Sequence, residues 1–293
     1  MTPVPRTICI AQFRPDKSDP GSALRRAGAT IERALDRDPN TRLIVFPETA
    51  LTGYFLEGGV YEEARTAPEW FQALDGEHGR RGLPPVDVAA GFYERHERKF
   101  SNSAIYARLG EGGGIVHVHR KVFLPTYGLF QEARFVSPGA GVAAFDTRLG
   151  RTAMLVCEDA FHSVTGALAA LDGAQLLLVL CASPARGARS PDGPENLATW
   201  DVIGSRLAAE HGIFVILAQL AGFEGGKGFP GGSTAYDPAG QRIASGPLWD
   251  QALVPVTINP GDVSRVRGQA PHLADLEQAW RRLMANSPGA ADR

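Results

Sequence analysis

The sequence predicts an α/β protein, because short apolar runs of strand length alternate with segments whose apolar residues recur at helical spacing. Some predicted strands follow one another directly, which favours a mixed sheet or two packed sheets with helices outside. No shift in composition marks a linker, and α/β folds often use a length of 293 residues as one domain. We therefore expect a single domain over residues 1–293.

The first half of the chain supplies strands, helices and one hairpin. The predicted strands are 7–13, 42–46 and 86–92. The predicted helices are 24–35 and 62–74. The runs 103–108 and 115–119 flank a glycine-rich turn at 110–114, which is typical of a β-hairpin.

The second half continues the same alternation. The predicted strands are 142–146, 151–156, 175–180, 213–218, 231–236, 242–244 and 253–258. The predicted helices are 163–171 with Ser163 as its N-cap, 195–211, and 262–284 with a break at Pro271. The glycine-rich segment 222–232 lacks the Gly-Lys-Ser/Thr ending of a phosphate-binding loop, so we interpret it as an ordinary loop.

Charge and hydropathy argue against several classes of protein. The formal net charge is -2, which gives no electrostatic case for binding nucleic acid or an anionic membrane surface. No run of about 18 apolar residues occurs, so no bilayer-spanning helix is expected. The N-terminal segment MTPVPRTICIAQF lacks the long apolar core of a signal peptide. The expected location is the cytoplasm.

The cysteines and histidines do not form a metal-binding pattern. Cys9, Cys157 and Cys181 are an odd, sparse set, which predicts free thiols in a reducing compartment. The seven histidines show no HExxH or paired-ligand spacing. We therefore expect neither a metal ion nor an organic cofactor.

A thiol stands at the end of one predicted buried strand, in the segment TAMLVCEDAFHS (152–163). Side chains at the carboxyl end of such a strand point toward the crevice where open α/β folds place their chemistry. Cys157 is therefore a candidate nucleophile, provided that a neighbour lowers its pKa or takes its proton. The alternative is that Cys157 is a small core residue, as free cysteines often are.

Two charged residues complete a coherent set for acyl transfer from a C–N bond. Glu48 follows the second predicted strand, and Lys121 follows the predicted hairpin. A carboxylate can remove the thiol proton and later activate water, while an ammonium favours the thiolate and stabilises an oxyanion. The backbone N–H of Glu158 could be a second oxyanion donor. Taken singly, Glu48 could be a solvated loop residue and Lys121 part of a basic turn.

Three ordered motifs together resemble the nitrilase or carbon–nitrogen hydrolase superfamily. They are FPETALTGY (46–54), HRKVFLPTYGLFQEARFVSPG (119–139) and VCEDAFH (156–162). The resemblance implies a four-layer αββα sandwich of two packed mixed sheets with outer helices, which pairs into a homodimer or higher homo-oligomer. It implies that Glu48, Lys121 and Cys157 form a catalytic triad working through a thioester acyl-enzyme. A second family glutamate, which helps to position the triad, matches Glu132; its alternative role is a surface partner for Arg134.

Three features resemble the glutamine-amidase domains attached to NAD synthetases: the CED triplet, the segment YGLFQEARF (127–135) and the ASP of CASPAR (181–186). No ATP-binding region follows in this sequence, so we expect a free-standing amidase that releases ammonia from a small primary amide, with a glutamine-like amide among the candidates. The partners expected are that amide and water. A nitrilase, an N-carbamoyl hydrolase, or a catalytically silent binding protein of the same fold are the alternatives.

Four further residues are predicted to contact the substrate: Tyr54, Tyr127, Glu158 and Ser183. Phe55 and Phe130 are aromatic neighbours that could line the same pocket or simply pack. Arg186 and Arg189 could bind a substrate carboxylate, but charged loop residues are mostly solvated, and we favour that interpretation.

Overall fold

The computed structural model describes residues 5–14, 19–54, 59–128, 130–187, 189–190, 193–224 and 226–286. The strands, in chain order, are β1 (Arg6–Gln12), β2 (Thr41–Val45), β3 (Val86–His96), β4 (Lys99–Leu109), β5 (Gly114–Arg120), β6 (Ala144–Thr147), β7 (Gly150–Val156), β8 (Leu176–Cys181), β9 (Arg189–Ser190), β10 (Gly193–Pro194), β11 (Phe214–Gln219), β12 (Ala221–Glu224), β13 (Lys227–Pro230), β14 (Thr234–Tyr236), β15 (Arg242–Ser245) and β16 (Ala252–Ile258). The α-helices are α1 (Pro20–Arg37), α2 (Val60–Glu63), α3 (Ala67–Arg80), α4 (Ser163–Leu171), α5 (Glu195–His211), α6 (Gly261–Gln269) and α7 (His272–Ala285). Short 3-10 helices span Glu132–Arg134 and Cys157–Phe161.

The strands form two six-stranded mixed sheets. The first sheet has the order β16-β1-β2-β3-β4-β5, and the second has the order β15-β14-β11-β8-β7-β6. Both sheets have a parallel centre, β1-β2-β3 in the first and β7-β8-β11 in the second, flanked by antiparallel neighbours. The short pairs β9-β10 and β12-β13 lie outside the two sheets.

The two sheets pack face to face, with helices on their outer faces. Inner-face residues of both sheets, such as Ile8 and Ile10 of β1 and Leu178 of β8, form one buried cluster. A second cluster joins the outer face of the first sheet to α1 and α3, and a third joins the second sheet to α4 and α5. Side chains alternate between the two faces of a strand, so each strand serves both an inner and an outer layer. The predicted αββα sandwich is confirmed.

The topology brings the carboxyl ends of the strands that precede the predicted site residues to the same end of the sandwich. In the first sheet β3 runs parallel to β2, and two antiparallel steps make β5 parallel to both. In the second sheet β7 and β8 are parallel. A parallel bridge between Phe13, just after β1, and Leu220, just after β11, joins the corresponding edges of the two sheets. Segments that follow β2, β5, β7 and β8 therefore meet at the seam between the sheets.

Most predicted elements are confirmed, but the helix predicted over 62–74 is wrong. The structure has two helices there, because Thr66 and Glu69 form a reciprocal capping box and Pro68 stands in the first turn of α3. As the N-cap of α3, Thr66 has an extended backbone, which a continuous helix over 62–74 could not accommodate.

Two other local predictions are also corrected, and one hairpin was missed. Segment 222–232, predicted as a loop, contains the hairpin β12-β13. Ser163 is the first residue of α4 rather than its N-cap, which falls on His162. The hairpin β3-β4 was not predicted, because its turn places Glu97 and Arg98 at positive φ (46° and 65°) without the glycine or asparagine that usually marks such a turn.

No helix in the described part of the chain is both long and apolar enough to cross a membrane.

Candidate active site

A buried lysine lies between two buried carboxylates at the seam of the sheets. Lys121 Nζ donates to Glu48 Oε1 at 2.9 Å, and it lies 3.0 Å from Glu132 Oε1 and 2.9 Å from Glu132 Oε2. The side chains of Glu48 and Lys121 are inaccessible to solvent, and Glu132 is buried. Glu48 lies shortly after β2, Lys121 directly follows β5, and Glu132 begins the 3-10 helix Glu132–Arg134. The structure thus brings together three residues that are far apart in the sequence.

Other donors add hydrogen bonds to these carboxylates. Asn102 Nδ2 donates to Glu48 Oε1 at 2.8 Å and to Glu132 Oε1 at 3.3 Å. The Tyr54 hydroxyl donates to Glu132 Oε1 at 2.5 Å, and the backbone N–H of Ala182 donates to Glu48 Oε2 at 2.8 Å. Each bond fixes a carboxylate that burial would otherwise destabilise.

Asn102 and the Ala182 N–H were not predicted from the sequence. Asn102 lies in the middle of β4, where a buried polar side chain is unusual in a strand and is the one signal that could have identified it. The Ala182 N–H gives no side-chain signal at all, since any residue following β8 except proline would supply it.

Cys157 occupies a strained position at the end of β7. It is the first residue of the 3-10 helix Cys157–Phe161, and its φ is +44°, in the left-handed region that a side chain rarely adopts. Such strain persists only where surrounding contacts enforce it, and it is often found at functional sites. The residue is half-buried, whereas Cys9 and Cys181 are buried. All three cysteines are free thiols.

Cys181 is the immediate neighbour of Cys157 across the parallel pair β7-β8. Val156 pairs with Leu180 in the register, so the next residues along the two strands are these two cysteines. Both belong to the same packed cluster under α5. Cys181 was not among the site residues expected from the motifs, because nothing in the sequence fixes the register of two strands.

Electrostatics at the site keep the lysine charged and the thiol protonated at rest. Burial alone would lower the pKa of Lys121, but the carboxylates of Glu132 and Glu48 outweigh it and hold that pKa well above its usual value. Burial is also the main reason that the pKa of Glu48 is raised, with Lys121 opposing it.

The pKa of Cys157 is raised well above its usual value by its interaction with the Cys181 thiol, by burial and by the charge of Glu48. Lys121 lowers this pKa, as the sequence predicted, but the other three influences prevail. The resting group is therefore a thiol, and its activation needs a base. Glu48 is the carboxylate whose charge the thiol senses most strongly.

An aromatic wall and two charged side chains, Glu158 and Arg186, lie beside the carboxylate network, at what we call the mouth of the site. Tyr54 makes edge-to-face contacts with Phe130 and Phe229, with ring centroids 6.4 and 6.5 Å apart. The Tyr127 hydroxyl donates to Glu158 Oε2 at 2.8 Å. The pKa of Tyr127 is raised to about 12, by burial and then by this hydrogen bond.

Arg186 lies at the same mouth. Its guanidinium carbon is 5.4 Å from the centre of the Phe130 ring and 6.0 Å from that of Tyr127. The side chain is exposed, but it rests on two rings, which is a cation–π arrangement. The expectation that Arg186 is merely solvated is therefore incomplete. Phe55 lies outside the described residues, and only the backbone of Arg189 is described.

Ser183 is buried and has a structural partner. Its Oγ accepts a hydrogen bond from Asn196 Nδ2 at 3.0 Å, and the same amide group donates to the carbonyl of Pro184 at 3.0 Å. Asn196 Oδ1 accepts from the N–H of Arg186 at 3.0 Å. Asn196 thus anchors the loop that carries both Ser183 and Arg186.

Among the residues that the structure describes, no three histidine, cysteine, aspartate or glutamate side chains cluster closely enough to hold a metal ion. At the site itself the cation facing Glu48 and Glu132 is the Lys121 ammonium.

The packed sheets and the acid, amine and thiol gathered at their seam place this protein in the class of α/β sandwich enzymes that cleave carbon–nitrogen bonds. The chain belongs to the carbon–nitrogen hydrolase family, whose family model matches residues 7–268. The family resemblance of the three sequence motifs is confirmed.

The chain is also similar, at low sequence identity, to individual proteins of known name or structure. The chain is 26% identical over 266 residues to a glutamine-dependent NAD(+) synthetase of Thermotoga maritima, covering 88% of this chain but 43% of that protein. It is 25% identical over 265 residues to a protein of Schizosaccharomyces pombe named "Probable nitrilase C965.09", covering 89% and 91%. A carbon–nitrogen hydrolase structure from Helicobacter pylori G27 superimposes with a TM-score of 0.80 at 22% identity, over 93% and 95% of the two chains. The structural similarity to the Helicobacter pylori protein supports the assignment of the αββα sandwich fold.

Proposed function

We propose that this chain is a cysteine-dependent amidase that hydrolyses the C–N bond of a small primary amide to a carboxylate and ammonia. The observation that carries the proposal is the buried Glu48–Lys121–Glu132 network, together with the half-buried Cys157 thiol, whose pKa the charges of Glu48 and Lys121 influence. Family membership supports a C–N bond as the target. The synthetase relative is described as glutamine-dependent, which supports an amide rather than a nitrile.

In the first half-reaction Glu48 takes the Cys157 proton as the sulfur attacks the amide carbon. A C–S bond forms, and the carbonyl π electrons move to oxygen. The Lys121 ammonium and the backbone N–H of Glu158 stabilise that oxyanion. The oxyanion collapses, the C–N bond breaks, and the departing nitrogen takes the proton from Glu48 and leaves as ammonia. The enzyme then carries a thioester.

In the second half-reaction water replaces ammonia along the same path. Glu48 takes a proton from water, whose oxygen attacks the thioester carbon. Collapse of the second tetrahedral intermediate breaks the C–S bond, releases the carboxylic acid and returns the proton to the Cys157 sulfur. The high pKa of the resting thiol makes Glu48 essential in the first step, and the buried position of Glu48 makes it a stronger base than an exposed carboxylate.

Glu132 acts on the reaction through Lys121 and Tyr54. Two carboxylates flank one ammonium, so the lysine stays protonated while Glu48 gains or loses a proton. The Tyr54 hydroxyl also donates to Glu132 Oε1, and its ring joins the aromatic wall to the network.

The charges at the mouth favour an amide with an ammonium and a carboxylate of its own, as glutamine has. Glu158, oriented by Tyr127, offers an anion close to Cys157 in the chain, and Arg186 offers a cation against the same tyrosine ring. Tyr54 and Phe130 supply apolar surface for the methylene groups between the two ends. Ser183 contributes by holding its loop against this pocket.

Ammonia release from a panel of compounds tests the proposal. The panel holds glutamine, unbranched aliphatic amides, N-carbamoyl amino acids and nitriles. We expect turnover of a primary amide by the wild type, none by Cys157→Ala, and wild-type turnover by Cys9→Ala, since Cys9 is buried in the outer layer of the other sheet. Absence of turnover of every compound by fully reduced wild-type protein would reject the amidase.

A nitrilase is the second candidate, and the similarity to the Schizosaccharomyces pombe protein named as a probable nitrilase supports it. The same triad can add sulfur to a nitrile carbon, and hydrolysis of the thioimidate would then give the carboxylate and ammonia. The same panel of compounds separates the candidate activities. Preferred turnover of nitriles over amides selects the nitrilase. Preferred turnover of N-carbamoyl amino acids selects a carbamoyl hydrolase.

We also propose that the enzyme works as a homodimer or higher homo-oligomer in the cytoplasm. Exposed apolar side chains on the outer face of α4 and α5, namely Val164 and Val202, support burial by a second copy. Three free thiols support a reducing compartment. Light scattering on purified protein tests the oligomeric state, and a monomer at micromolar concentration would reject it.

A further inference from the structure

Another buried carboxylate, Asp159, ties the two halves of the site together. Its Oδ1 accepts hydrogen bonds from the backbone N–H groups of Val122 and Phe123, each at 2.9 Å. Its Oδ2 accepts from the backbone N–H of Val156 at 3.0 Å and lies 2.8 Å from His119 Nε2. The side chains of Asp159 and His119 are both buried.

These four partners come from two segments of opposite sheets. Val122 and Phe123 directly follow Lys121, and His119 lies two residues before it at the end of β5. Val156 directly precedes Cys157 at the end of β7. A single carboxylate therefore bridges the segment that positions the ammonium and the turn that positions the thiol.

The contacts of Asp159 also lie on both sides of Cys157, the strained residue of the turn. Cys157 has φ +44°, and Asp159 binds the N–H just before it while lying two residues after it. The carbonyl of Asp159 in turn accepts from the Thr165 hydroxyl at 2.8 Å, which attaches the turn to α4. These contacts enforce a conformation that the backbone would otherwise leave.

The carboxylate is ionised under ordinary conditions. Burial would raise the pKa of Asp159, but the hydrogen bond from His119 and those from backbone N–H groups outweigh it and hold the pKa below its usual value. Charged acceptors make the stronger hydrogen bonds, so the four donors are held firmly.

We infer that Asp159, supported by His119, is a positioning residue that sets the Cys157 thiol relative to Lys121 and its carboxylate partners. Asp159 does not touch the reacting atoms in this scheme, which rests on the proposed amidase function. Misplacement of a reacting group by about 1 Å can cost on the order of 100-fold in rate. Loss of the bridge therefore lowers the rate of the chemical step and leaves substrate affinity nearly unchanged.

The principal test is Asp159→Asn, which keeps the shape but turns one acceptor into an NH2 group facing other N–H donors. We expect kcat to fall about 100-fold with KM within about three-fold of wild type. The matched control is Asp172→Asn. Asp172 also accepts a backbone N–H, from Ala144 at 2.7 Å, and pairs with Arg151, but it lies after α4 at the opposite end of β7. This control should lose stability without a comparable loss of kcat.

A second readout does not depend on the substrate. The rate of Cys157 alkylation by iodoacetamide, followed by mass spectrometry of the Cys157 peptide, should fall at least ten-fold in Asp159→Asn and stay close to wild type in Asp172→Asn. This measurement remains decisive even if no amide is turned over, so failure of the amidase proposal and failure of the positioning proposal are distinguishable.

His119 provides an independent pair of variants should Asp159→Asn fail to fold. His119→Gln keeps an N–H donor for Asp159, whereas His119→Leu removes it, so His119→Leu should show the larger fall in both kcat and alkylation rate. The inference is overturned if Asp159→Asn keeps wild-type alkylation and kcat. It is equally overturned if the two histidine variants behave alike, or if Asp172→Asn loses as much as Asp159→Asn.

Discussion

The Lys121 ammonium donates to Glu48 Oε1 at 2.9 Å, and neither side chain is accessible to solvent. A buried ion pair of this kind survives only if both members stay charged and fully hydrogen-bonded, because an unpaired buried charge is very costly. Glu132, Asn102 and the Ala182 N–H supply the additional partners. In the proposed mechanism, Glu48 therefore gains and loses a proton within a network whose other members hold its side chain in place.

Replacing the lysine removes the cation that both carboxylates share. Lys121→Met should lower kcat by about 1000-fold, in the range measured when one oxyanion donor is removed. Without the ammonium, which opposes the effect of burial, the pKa of Glu48 should rise further. Steady-state kinetics measures the effect, with Lys99→Met on the exposed turn of β3-β4 as the control. A Lys121→Met enzyme within three-fold of wild type would contradict the assignment.

The two glutamates should differ in their effect on the rate. Glu48→Gln removes the base and should lower kcat by about 1000- to 10,000-fold, whereas Glu132→Gln leaves the base and should lower it by about 100-fold. The same amide substrate is used for both variants, and their folding is compared by circular dichroism. Equal losses would show that the two carboxylates act as one unit rather than in separate roles.

Alkylation should distinguish the three thiols. Cys157 is half-buried, whereas Cys9 and Cys181 are buried, and burial raises the pKa of Cys9 to about 11. Under native conditions iodoacetamide should label Cys157 at least ten-fold faster than either of the others, because it alone is both accessible and next to a base. Peptide mass spectrometry measures the rates. The preference should disappear in Glu48→Gln, and equal, slow labelling of all three in wild type would favour a silent binding protein.

The pH dependence of the rate should report the hydrogen bond from Asn102 to Glu48. Burial raises the pKa of Glu48, and Asn102 opposes this because its N–H favours the charged carboxylate. Asn102→Ala should therefore raise that pKa further. Since the proposed reaction needs Glu48 as a carboxylate, the acid limb of the kcat/KM profile should move to higher pH. A limb that stays in place or moves to lower pH would show that another group controls it.

A glycine of β3 allows the Glu48 loop to pack against the strand. A Cβ added at Gly91 would lie 2.6 Å from Glu48 Cα and closer still to the Thr49 nitrogen, and both are backbone atoms that cannot move aside easily. Gly91→Ala should cost about 1–3 kcal/mol of unfolding free energy through overpacking, and it should displace Glu48 and lower kcat more than ten-fold.

Gly76→Ala in α3 is the matched control for this substitution. Only the far end of Arg80 lies near its added Cβ, at 4.0 Å, so a gain of about 0.5–1 kcal/mol is expected for alanine in a helix. Urea unfolding and kinetics on both variants check the pair. Wild-type activity and stability in Gly91→Ala would show that the loop can shift without consequence.

The sequence predicted the elements that carry the chemistry because each has a strong local signal. Glu48, Lys121 and Cys157 each follow a predicted strand, and the helix 195–211 agrees with α5 residue for residue. The turn at Glu97 and Arg98 was missed because tertiary packing, rather than glycine, imposes its positive φ. The catalytic roles of the triad and of Glu132 stay predictions until the variants are measured.

Contacts between distant segments account for what the sequence could not supply. The bonds of Asp159 to Val122 and Phe123 depend on how two sheets are stacked, which no local pattern encodes. The proximity of Cys157 to Cys181 depends on the register of β7 against β8. The raised pKa of the Cys157 thiol follows from that neighbour and from burial, so the thiolate expected from Lys121 alone is not the resting form.

Because the proposed triad spans the seam, the activity of the site depends on the relative position of the two sheets. Glu48 and Lys121 extend from one sheet and Cys157 from the other, so their alignment depends on the apolar interface between the two layers. A small slippage of the layers would silence the enzyme while every helix and strand stayed intact. On gentle heating, turnover should therefore vanish ahead of the far-ultraviolet dichroism.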